Sequence, residues 1–422
     1  MGIDVDRIRE VFPSLHVVDD GNPRVYLDNP GGTQVPQSVI DRTRDYFTTM
    51  NANGDGAFVT SRGSDRLLDH AHEAMADFLN APDPAEIVFG QNMTSLTFSI
   101  SRSLGRQMKS GDEIILTRMD HDANISPWLM LAEDRGLSIR WLDFDPESCQ
   151  YQLETLDDLL SDRTRLVAVN YASNAIGTVN DVAEIVRKAH AAGALVFVDA
   201  VQFCPHGVTD VQKLGCDVLV CSAYKFFGPH QGILWGRKTL LESLTPYKVR
   251  PASNELPGRF ETGTLSHEGL AGTLGAIEYI EWIGAEMSPA SPQFGRRSDR
   301  SNVLAAAMTT IGDYESCLGE VFEQGLRHIP GVKFHGPERG CDRVPTYAVS
   351  FEGHRPRVLA EELGKHNIFA WDGHYYAVEV ISRLGLDQAG GMLRLGLAHY
   401  NSRKEIDRTL NVLSDIVRTK TV

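Results

Sequence analysis

Two strongly apolar runs that each end in a charged residue constrain the fold of this chain more than any other feature. The first, LVFVD, ends at Asp199, and the second, DVLVCSAYK, ends at Lys225 just before a Gly-Pro turn. Such runs are typical of strands buried on both faces of a parallel sheet. Ligands of open α/β sheets bind beyond the carboxyl ends of these strands. Asp199 and Lys225 are therefore predicted to face one binding site.

An aspartate and a lysine in this setting are the pair that pyridoxal 5'-phosphate (PLP) chemistry requires. The lysine forms a Schiff base with the cofactor aldehyde, and a buried carboxylate keeps the pyridine nitrogen protonated so that the ring can accept electrons. Taken singly, Asp199 could cap a loop and Lys225 could be one more solvated lysine, because charged residues near strand ends are common. Their joint context favours the cofactor site.

The rest of the chain predicts an α/β fold in more than one domain, since 422 residues exceed what a single core usually serves. A strand over Leu166–Asn170, a helix ended by Gly193 and a strand over Leu195–Asp199 form a parallel crossover unit. The polar stretch SPASPQFGRRSDRSN predicts a linker, followed by small-domain strands in PTYAVSFEG and MLRLGLAHY. The last helix is predicted to begin at a capping box, Ser402 to Glu405. We expect an N-terminal arm over 1–24, a large PLP-binding domain over 25–287 and a small domain over 288–422.

Composition excludes several classes of partner and site. The net charge of −15 and the pI near 5.4 argue against nucleic acid or an anionic membrane surface, because either would need a basic surface. The N-terminus lacks the apolar core of a secretory signal, and no run reaches membrane-spanning length. The six cysteines are dispersed without a CxxC pair, which predicts reduced thiols, a cytoplasmic protein and no metal site.

Several polar residues are candidates to hold the cofactor. The turn GQNMTSL leads into a helix, where Met93 and Thr94 could bind the phosphate and Ser222 could add a hydroxyl, although NMTS could also be an ordinary helix cap. His121 is a candidate to stack on the cofactor ring, or it could be a structural histidine. Asn174 and Gln202 could hydrogen-bond the phenolic oxygen of the cofactor or the substrate.

An arginine inside an apolar strand, Arg394 in GGMLRLGLAHYN, is the candidate to bind a substrate carboxylate. Burying a guanidinium is costly unless it is paired, and its planar fork matches a carboxylate. The alternative is an internal salt bridge.

These motifs together resemble the class V aminotransferase family of fold-type I PLP enzymes, and within it the cysteine desulfurase and selenocysteine lyase branch. The similar segments are YLDNPGGTQVPQSV, MDHDANISPW, SNAIGT, VDAVQ, SAYKFFGP, RFETGTLS and LRLGLAHYNSRKEIDR. The resemblance implies PLP as cofactor and a large, mostly parallel sheet with helices on both faces plus a smaller α+β domain. It also implies catalytic roles for Lys225, His121 and Asp199. Finally, it implies a homodimer with shared active sites, in which Gly263 and Thr264 reach the partner's phosphate.

The chain departs from that branch where sulfur would be handled. The desulfurases carry a thiol in a segment of the type Arg-x-Gly-His-His-Cys, and the matching segment here is WDGHYYA. Trp371 replaces the arginine, His374 is retained, and Tyr376 takes the place of the cysteine. Tyr224 replaces a histidine beside the lysine. Cys341 could be exposed and is the candidate to replace the missing nucleophile, whereas Cys204 and Cys221 fit packing roles.

The expected activity is therefore carbanion chemistry on an amino acid, most simply elimination of a sulfur- or selenium-linked β-substituent without an enzyme persulfide. Trp371, His374 and Tyr376 would contact the substrate, and a tyrosine there could donate a proton; alternatively, the aromatic residues pack a domain interface. Epimerisation, transamination and other chemistry at the β-carbon remain alternatives. A cofactor-free binding protein is a more remote one.

Overall fold

A seven-stranded sheet forms the centre of the molecule in the computed structural model, which describes residues 2–289 and 297–419. The spatial order of its strands is Ile87–Gly90, Gly232–Gly236, Val218–Ser222, Leu195–Asp199, Thr164–Asn170, Glu113–Thr117 and Ser138–Leu142. Neighbouring strands pair in parallel except at Gly232–Gly236, which is antiparallel to both of its neighbours. The sheet is thus mostly parallel, as predicted.

Helices cover both faces of this sheet. Val196 and Val198 pack into one apolar cluster and Phe197 into another, so alternate residues of a single strand bury on opposite faces. The helices of this region are Val59–Leu79, Met93–Gly105, Ser126–Arg135, Leu156–Leu159, Val182–Ala191, Val211–Leu214, Lys238–Ser243 and His267–Met287. Helices Val5–Glu10 and Gln37–Asp45 precede them, followed by a π-helical turn, Tyr46–Met50.

A second, antiparallel sheet lies in the C-terminal part of the chain. Its four strands, in spatial order, are Val332–His335, Thr346–Phe351, Met392–Gly396 and Trp371–Gly373. The accompanying helices are Asp299–Arg327, Pro356–Lys365, Val378–Arg383 and Arg403–Thr419. Two short strands, Val25–Tyr26 and Ile368–Phe369, pair in parallel and join the N-terminal segment to this region.

The last helix begins at the predicted capping box. The Ser402 amide donates to Glu405 Oε2 at 2.9 Å, and the Glu405 amide donates to Ser402 Oγ at 3.3 Å. The predicted linker over 288–302 is wrong at its C-terminal end, because Asp299–Arg327 is helical and Ser298 caps it by accepting from the Ser301 amide. Residues 290–296 of that linker lie outside the described residues. No helix of the described ranges is long and apolar enough to cross a membrane. The division into arm, large and small domains stays a prediction.

Candidate functional site

A cavity of about 690 Å³ lies at the carboxyl ends of the parallel strands. Strands Leu195–Asp199 and Val218–Ser222 pair in parallel, so Asp199 ends one strand while the short turn Ala223–Lys225 follows the other. Because the two strands are parallel, Asp199 and Lys225 lie at the same edge of the sheet, as the apolar runs predicted.

Nearly all of the predicted site residues line this single cavity. They are Met93, Thr94, His121, Asn174, Asp199, Gln202, Ser222, Tyr224, Lys225, Trp371, His374, Tyr376 and Arg394. Gly263 and Thr264 do not line it; both are exposed in the segment before helix His267–Met287. Their predicted position near a partner's phosphate stays a prediction.

The Lys225 ammonium is buried and its proton is weakly held. Burial, and secondarily the charge of Arg394, lower the pKa of Lys225 to about 7, against the opposing effects of Asp199 and Asp28. Its Nζ donates to the carbonyl oxygen of Pro30. A substantial fraction of this lysine is therefore a neutral amine near pH 7, the form that acts as nucleophile and base.

Asp199 is a buried carboxylate that suits a cationic partner. Burial raises the pKa of Asp199 to about 6, although the Val201 amide donates to its Oδ1 at 2.9 Å and the charge of Lys225 favours the ionised form. At neutral pH Asp199 therefore carries a charge in a dry setting, and a protonated pyridine nitrogen would stabilise it.

One end of the cavity is formed by the start of helix Met93–Gly105, the segment predicted to bind the phosphate. Asn92 accepts from the Ser95 amide at 2.8 Å, and Ser95 Oγ in turn accepts from the Asn92 amide at 3.3 Å, so NMTS is a helix cap as well as a cavity wall. Met93 and Thr94 occupy the first turn, where amide groups and the helix dipole favour an anion. Ser222 lines the same cavity from the neighbouring strand.

Two amide side chains that line the cavity have buried oxygen atoms with unused hydrogen-bonding capacity. Asn174 Oδ1 and Gln202 Oε1 are buried without a hydrogen-bond partner, whereas Asn174 Nδ2 donates to the Tyr375 carbonyl at 2.8 Å. Buried polar atoms normally have a partner, so these point to a missing polar group. Together with Asp199, Lys225 and the helix start, they fit PLP.

The environment of Arg394 favours binding of an anion. It is buried, its Nε lacks a hydrogen-bond partner, and no carboxylate among the described residues forms a salt bridge with it. Its Nη1 donates to the Asn174 carbonyl at 2.8 Å, and its guanidinium lies 4.1 Å from the centre of the Tyr375 ring. Burial lowers the pKa of Arg394 to about 10, which leaves it charged at neutral pH. The internal salt bridge considered above is therefore not formed.

His121 lies between the cavity and the substituted loop. Burial, and then the charge of Lys225, lower the pKa of His121 to about 4, so the imidazole is neutral. Its Nδ1 accepts from the Ala123 amide at 3.0 Å, which leaves the proton on Nε2. The ring stacks on Tyr376 with centroids 5.5 Å apart.

The loop His374–Ala377 is fixed to the rest of the molecule on both sides. The Tyr376 carbonyl accepts from the Asp122 amide at 2.7 Å, and the Tyr375 carbonyl accepts from Asn174. The Tyr375 phenol donates to the Met392 carbonyl, so its hydroxyl is occupied although the residue lines the cavity. Tyr375 lies against the Arg394 guanidinium, and Tyr376 is the more exposed of the two tyrosines in this loop.

All six cysteines are free thiols outside this cavity. Cys341 is exposed, as expected, but it lines a separate cavity with His206 and Glu315. Cys204 and Cys221 are fully buried beside the cofactor strands. None of the cysteines is therefore placed to attack a group bound at Lys225.

Sequence reasoning missed three residues of the site. The Pro30 carbonyl accepts from Lys225, Asn170 lines the cavity, and Asp28 has a buried Oδ1 without a partner. Burial raises the pKa of Asp28 to about 6, and the charges of Arg394 and Lys225 oppose this rise. Asp28 directly follows the apolar pair YL in YLDNP. The same signal, an acidic residue at the end of an apolar run, identified Asp199.

Comparison with known proteins decides the family. Residues 25–293 and 302–409 match the family described as Aminotransferase class-V. The chain belongs to this family. It is 33% identical to a cysteine desulfurase from Serratia proteamaculans, with 99% of each chain covered, and 32% identical to one from Dickeya dadantii, with 98% and 97% covered.

Solved structures agree with this assignment. An apo cysteine desulfurase from Thermococcus onnurineus superposes with a TM-score of 0.87 at 26% identity, covering 100% of this chain and 99% of the other. A cysteine desulfurase from Escherichia coli gives 0.84 at 25% identity, with 99% of each chain covered. This class V member is therefore a PLP-dependent enzyme of fold-type I in the cysteine desulfurase branch.

Proposed function

We propose that this enzyme cleaves the bond between Cβ and sulfur, or selenium, of an amino acid and releases the leaving group directly. The observation that carries the proposal is the position of Tyr376. It occupies the loop where the branch's sulfur-accepting cysteine would lie, while every cysteine of the chain lies outside the cavity. A phenol cannot accept sulfur as a persulfide.

The fixed loop supports release without a relay. A relay residue must carry its group from the cofactor to an outside acceptor. Here the carbonyls of Tyr375 and Tyr376 are each hydrogen-bonded to the region that carries the cofactor site, through Asn174 and Asp122. Moving the loop outward would break both hydrogen bonds, at about 1 kcal/mol each.

When bound, PLP supplies an electron sink for the carbanion that forms at Cα. Arg394 holds the substrate carboxylate through its free guanidinium face. Lys225, as the neutral amine, would remove the Cα proton, and the charged Asp199 would pair with the protonated pyridine nitrogen. His121 remains neutral and supplies a flat apolar face to the site.

The atoms balance without an added oxidant or reductant. The Cα proton and the Cβ–S bond are lost, the sulfur leaves as a thiol, and 2-aminoacrylate remains. Water then converts 2-aminoacrylate to pyruvate and ammonium. Delivery of sulfur to an acceptor would instead yield alanine and would need an external thiol.

The remaining elements of the proposal concern the whole protein. We include a homodimer with shared sites, because Gly263 and Thr264 are exposed rather than packed in their own chain. A cytoplasmic location is supported by six free thiols.

The proposal is tested by a product screen of the PLP-loaded enzyme with cysteine, cysteine sulfinate, selenocysteine and S-substituted cysteines. Pyruvate, alanine, thiol and sulfur or selenium species are quantified together. We expect pyruvate and free thiol in equal amounts, from the wild type and from a Cys317→Ser/Cys341→Ser variant alike, and neither from Lys225→Ala. Alanine with released sulfur that is lost in the double variant would contradict the proposal. Racemised or transaminated substrate without cleavage would assign the enzyme to the alternative reactions.

A further inference from the structure

Two large aromatic side chains at the cavity entrance, Trp371 and Tyr376, are left largely exposed; we refer to them as the aromatic mouth. Both line the cavity, yet Trp371 is 51% exposed and Tyr376 is 66% exposed. Exposed apolar surface at the rim of a concave site is typical of ligand binding. The mouth therefore has apolar area that a ligand could cover.

The sheet places the indole beside the carboxylate-binding arginine. Trp371 and Arg394 lie directly opposite each other on antiparallel strands. Side chains of directly opposite residues lie on the same face, with Cβ atoms roughly 5 Å apart. An amino acid held through its carboxylate at Arg394 thus has its side chain within reach of the indole.

The indole is held close against the turn Asn29–Gly31. A Cβ atom at Gly31 would lie 2.6 Å from Trp371 Nε1, so glycine at this position allows the indole to lie this close. The same turn contains Pro30, whose carbonyl accepts from Lys225. Trp371 therefore lies against the turn that contacts the catalytic amine.

The backbone at Tyr376 is held in an unfavourable conformation. Tyr375 and Tyr376 have φ of 53° and 58°, values that are rare for aromatic residues. The carbonyl bonds to Asn174 and Asp122 maintain this geometry and keep the Tyr376 ring stacked on His121. Such strain concentrates at functional sites.

The charged groups near the mouth are already paired with neighbours. Asp372 forms an ion pair with Arg357 at 3.3 Å, and Asp122 accepts from Ser126 Oγ at 2.6 Å. The branch's arginine is replaced by Trp371 itself. Among the described residues that line the cavity, Lys225 and Arg394 are the only lysine and arginine, so a second carboxylate or a sulfinate on the substrate would lack a further counter-ion of this kind there.

We propose that the aromatic mouth selects cysteine S-conjugates whose sulfur carries a neutral aromatic group. Binding selectivity at the aromatic mouth can be measured separately from elimination. The elimination reaction itself rests on the function proposed above. The indole and the phenol ring flank the sulfur substituent, while Arg394 fixes the carboxylate. Cleavage would release an aromatic thiol, with pyruvate and ammonium as the other products.

The test uses the PLP-loaded enzyme with S-benzyl-, S-methyl- and S-carboxymethyl-cysteine. Pyruvate formation gives kcat/KM for each, and the absorbance change of the bound cofactor gives a dissociation constant that does not depend on cleavage. We expect at least about tenfold higher kcat/KM for the benzyl than for the methyl conjugate, as aromatic contacts of about 1.4 kcal/mol provide.

Variants then separate the contribution of each ring. Trp371→Ala and Tyr376→Ala lower the benzyl-to-methyl ratio towards one, Tyr376→Phe retains it, and Trp371→Arg shifts preference towards the carboxymethyl conjugate. The control is Met130→Ala, which removes a 53% exposed apolar side chain outside the cavity and keeps the wild-type ratio.

Each result has a distinct meaning. Equal kcat/KM for benzyl and methyl conjugates in the wild type, or an unchanged ratio in Trp371→Ala, overturns the selection by the aromatic mouth. A benzyl preference in the dissociation constants that is lost in Trp371→Ala, without pyruvate from any conjugate, supports the selection and instead refutes the elimination reaction.

Discussion

At the scale of single residues, the site is governed by how three buried charges balance. Lys225, Asp199 and Arg394 are buried around one cavity, and the pKa of Lys225 falls to about 7 through burial and then through the charge of Arg394. An unperturbed lysine has a pKa of about 10.4. Desolvation therefore favours the neutral amine form of Lys225, and no separate base is needed to deprotonate it.

The lowered pKa of Lys225 predicts how the rate of PLP binding depends on pH. Only the neutral amine of Lys225 reacts with the cofactor aldehyde, and its fraction rises as pH rises through the folded pKa. The rate of PLP incorporation into apoenzyme should therefore rise between roughly pH 6 and pH 8 with a midpoint near 7. In Arg394→Gln the loss of a like charge raises the pKa of Lys225, so the midpoint moves to higher pH.

Stopped-flow absorbance of the apoenzyme mixed with PLP across pH measures this midpoint. Arg394→Lys keeps the positive charge and serves as the control, with a midpoint close to that of the wild type. Identical midpoints in Arg394→Gln and Arg394→Lys would show that Arg394 does not tune the lysine.

Site residues can be predicted from the sequence where a polar or charged side chain interrupts an apolar pattern. Asp199, Lys225 and Arg394 are charges at the end of, or within, apolar strands, and each is found in the cavity. Pro30 acts through its backbone carbonyl, which every residue has, so the residue type gives no signal of this role. Its contact with Lys225 also spans 195 positions of the chain, so only the folded structure brings the two together.

At the scale of elements, the buried strands are predicted well and the edges poorly. The predicted strand Leu195–Asp199 has those bounds in the structure, because its apolar run is fully sandwiched. The direction of Gly232–Gly236 is not encoded in GILWG, since an apolar run is the same for parallel and antiparallel pairing. The edge strand Trp371–Gly373 has three residues and too little pattern to detect.

The loop His374–Ala377 offers a matched pair of substitutions at nearly equal φ. Tyr376→Asn should leave stability unchanged or raise it by about 1 kcal/mol, since asparagine tolerates this conformation and Tyr376 is mostly exposed. Tyr375→Asn gains the same backbone relief, but it loses the ring beneath Arg394 and the bond to Met392. It should destabilise by about 2 to 4 kcal/mol, somewhat less than truncation of a fully buried aromatic residue.

Urea unfolding of both variants in the PLP-loaded state measures this difference. A double variant measures the coupling between the two adjacent positions, which neighbouring residues that share backbone geometry show at about 0.5 to 3 kcal/mol. A loss of 2 kcal/mol or more in Tyr376→Asn would mean that the Tyr376 ring supports the fold rather than a ligand.

At the scale of the whole molecule, the segment before helix His267–Met287 and the aromatic residues Phe47 and Phe58 leave a solvent-exposed surface. Gly263 and Thr264 are exposed, and they precede His267, whose Nδ1 lies 2.8 Å from the Tyr46 phenol. Phe47 is exposed immediately beside Tyr46, and Phe58 is exposed further along the same segment. An exposed apolar surface beside an exposed turn suits contact with a second copy of the chain.

Complementation tests whether two chains share each site. If Lys225 of one chain and Thr264 of its partner serve the same PLP, then Lys225→Ala and Thr264→Asp each inactivate both sites of their own homodimer, the second by repelling the phosphate. Mixing equal amounts after reversible dissociation forms heterodimers with one site free of both substitutions, so about a quarter of wild-type activity should return. A mixture of Lys225→Ala with Asp199→Ala is the matched control and should stay inactive, because those residues belong to one chain's cavity. An inactive first mixture, despite heterodimers detected by native mass spectrometry, would show that each chain completes its own phosphate site.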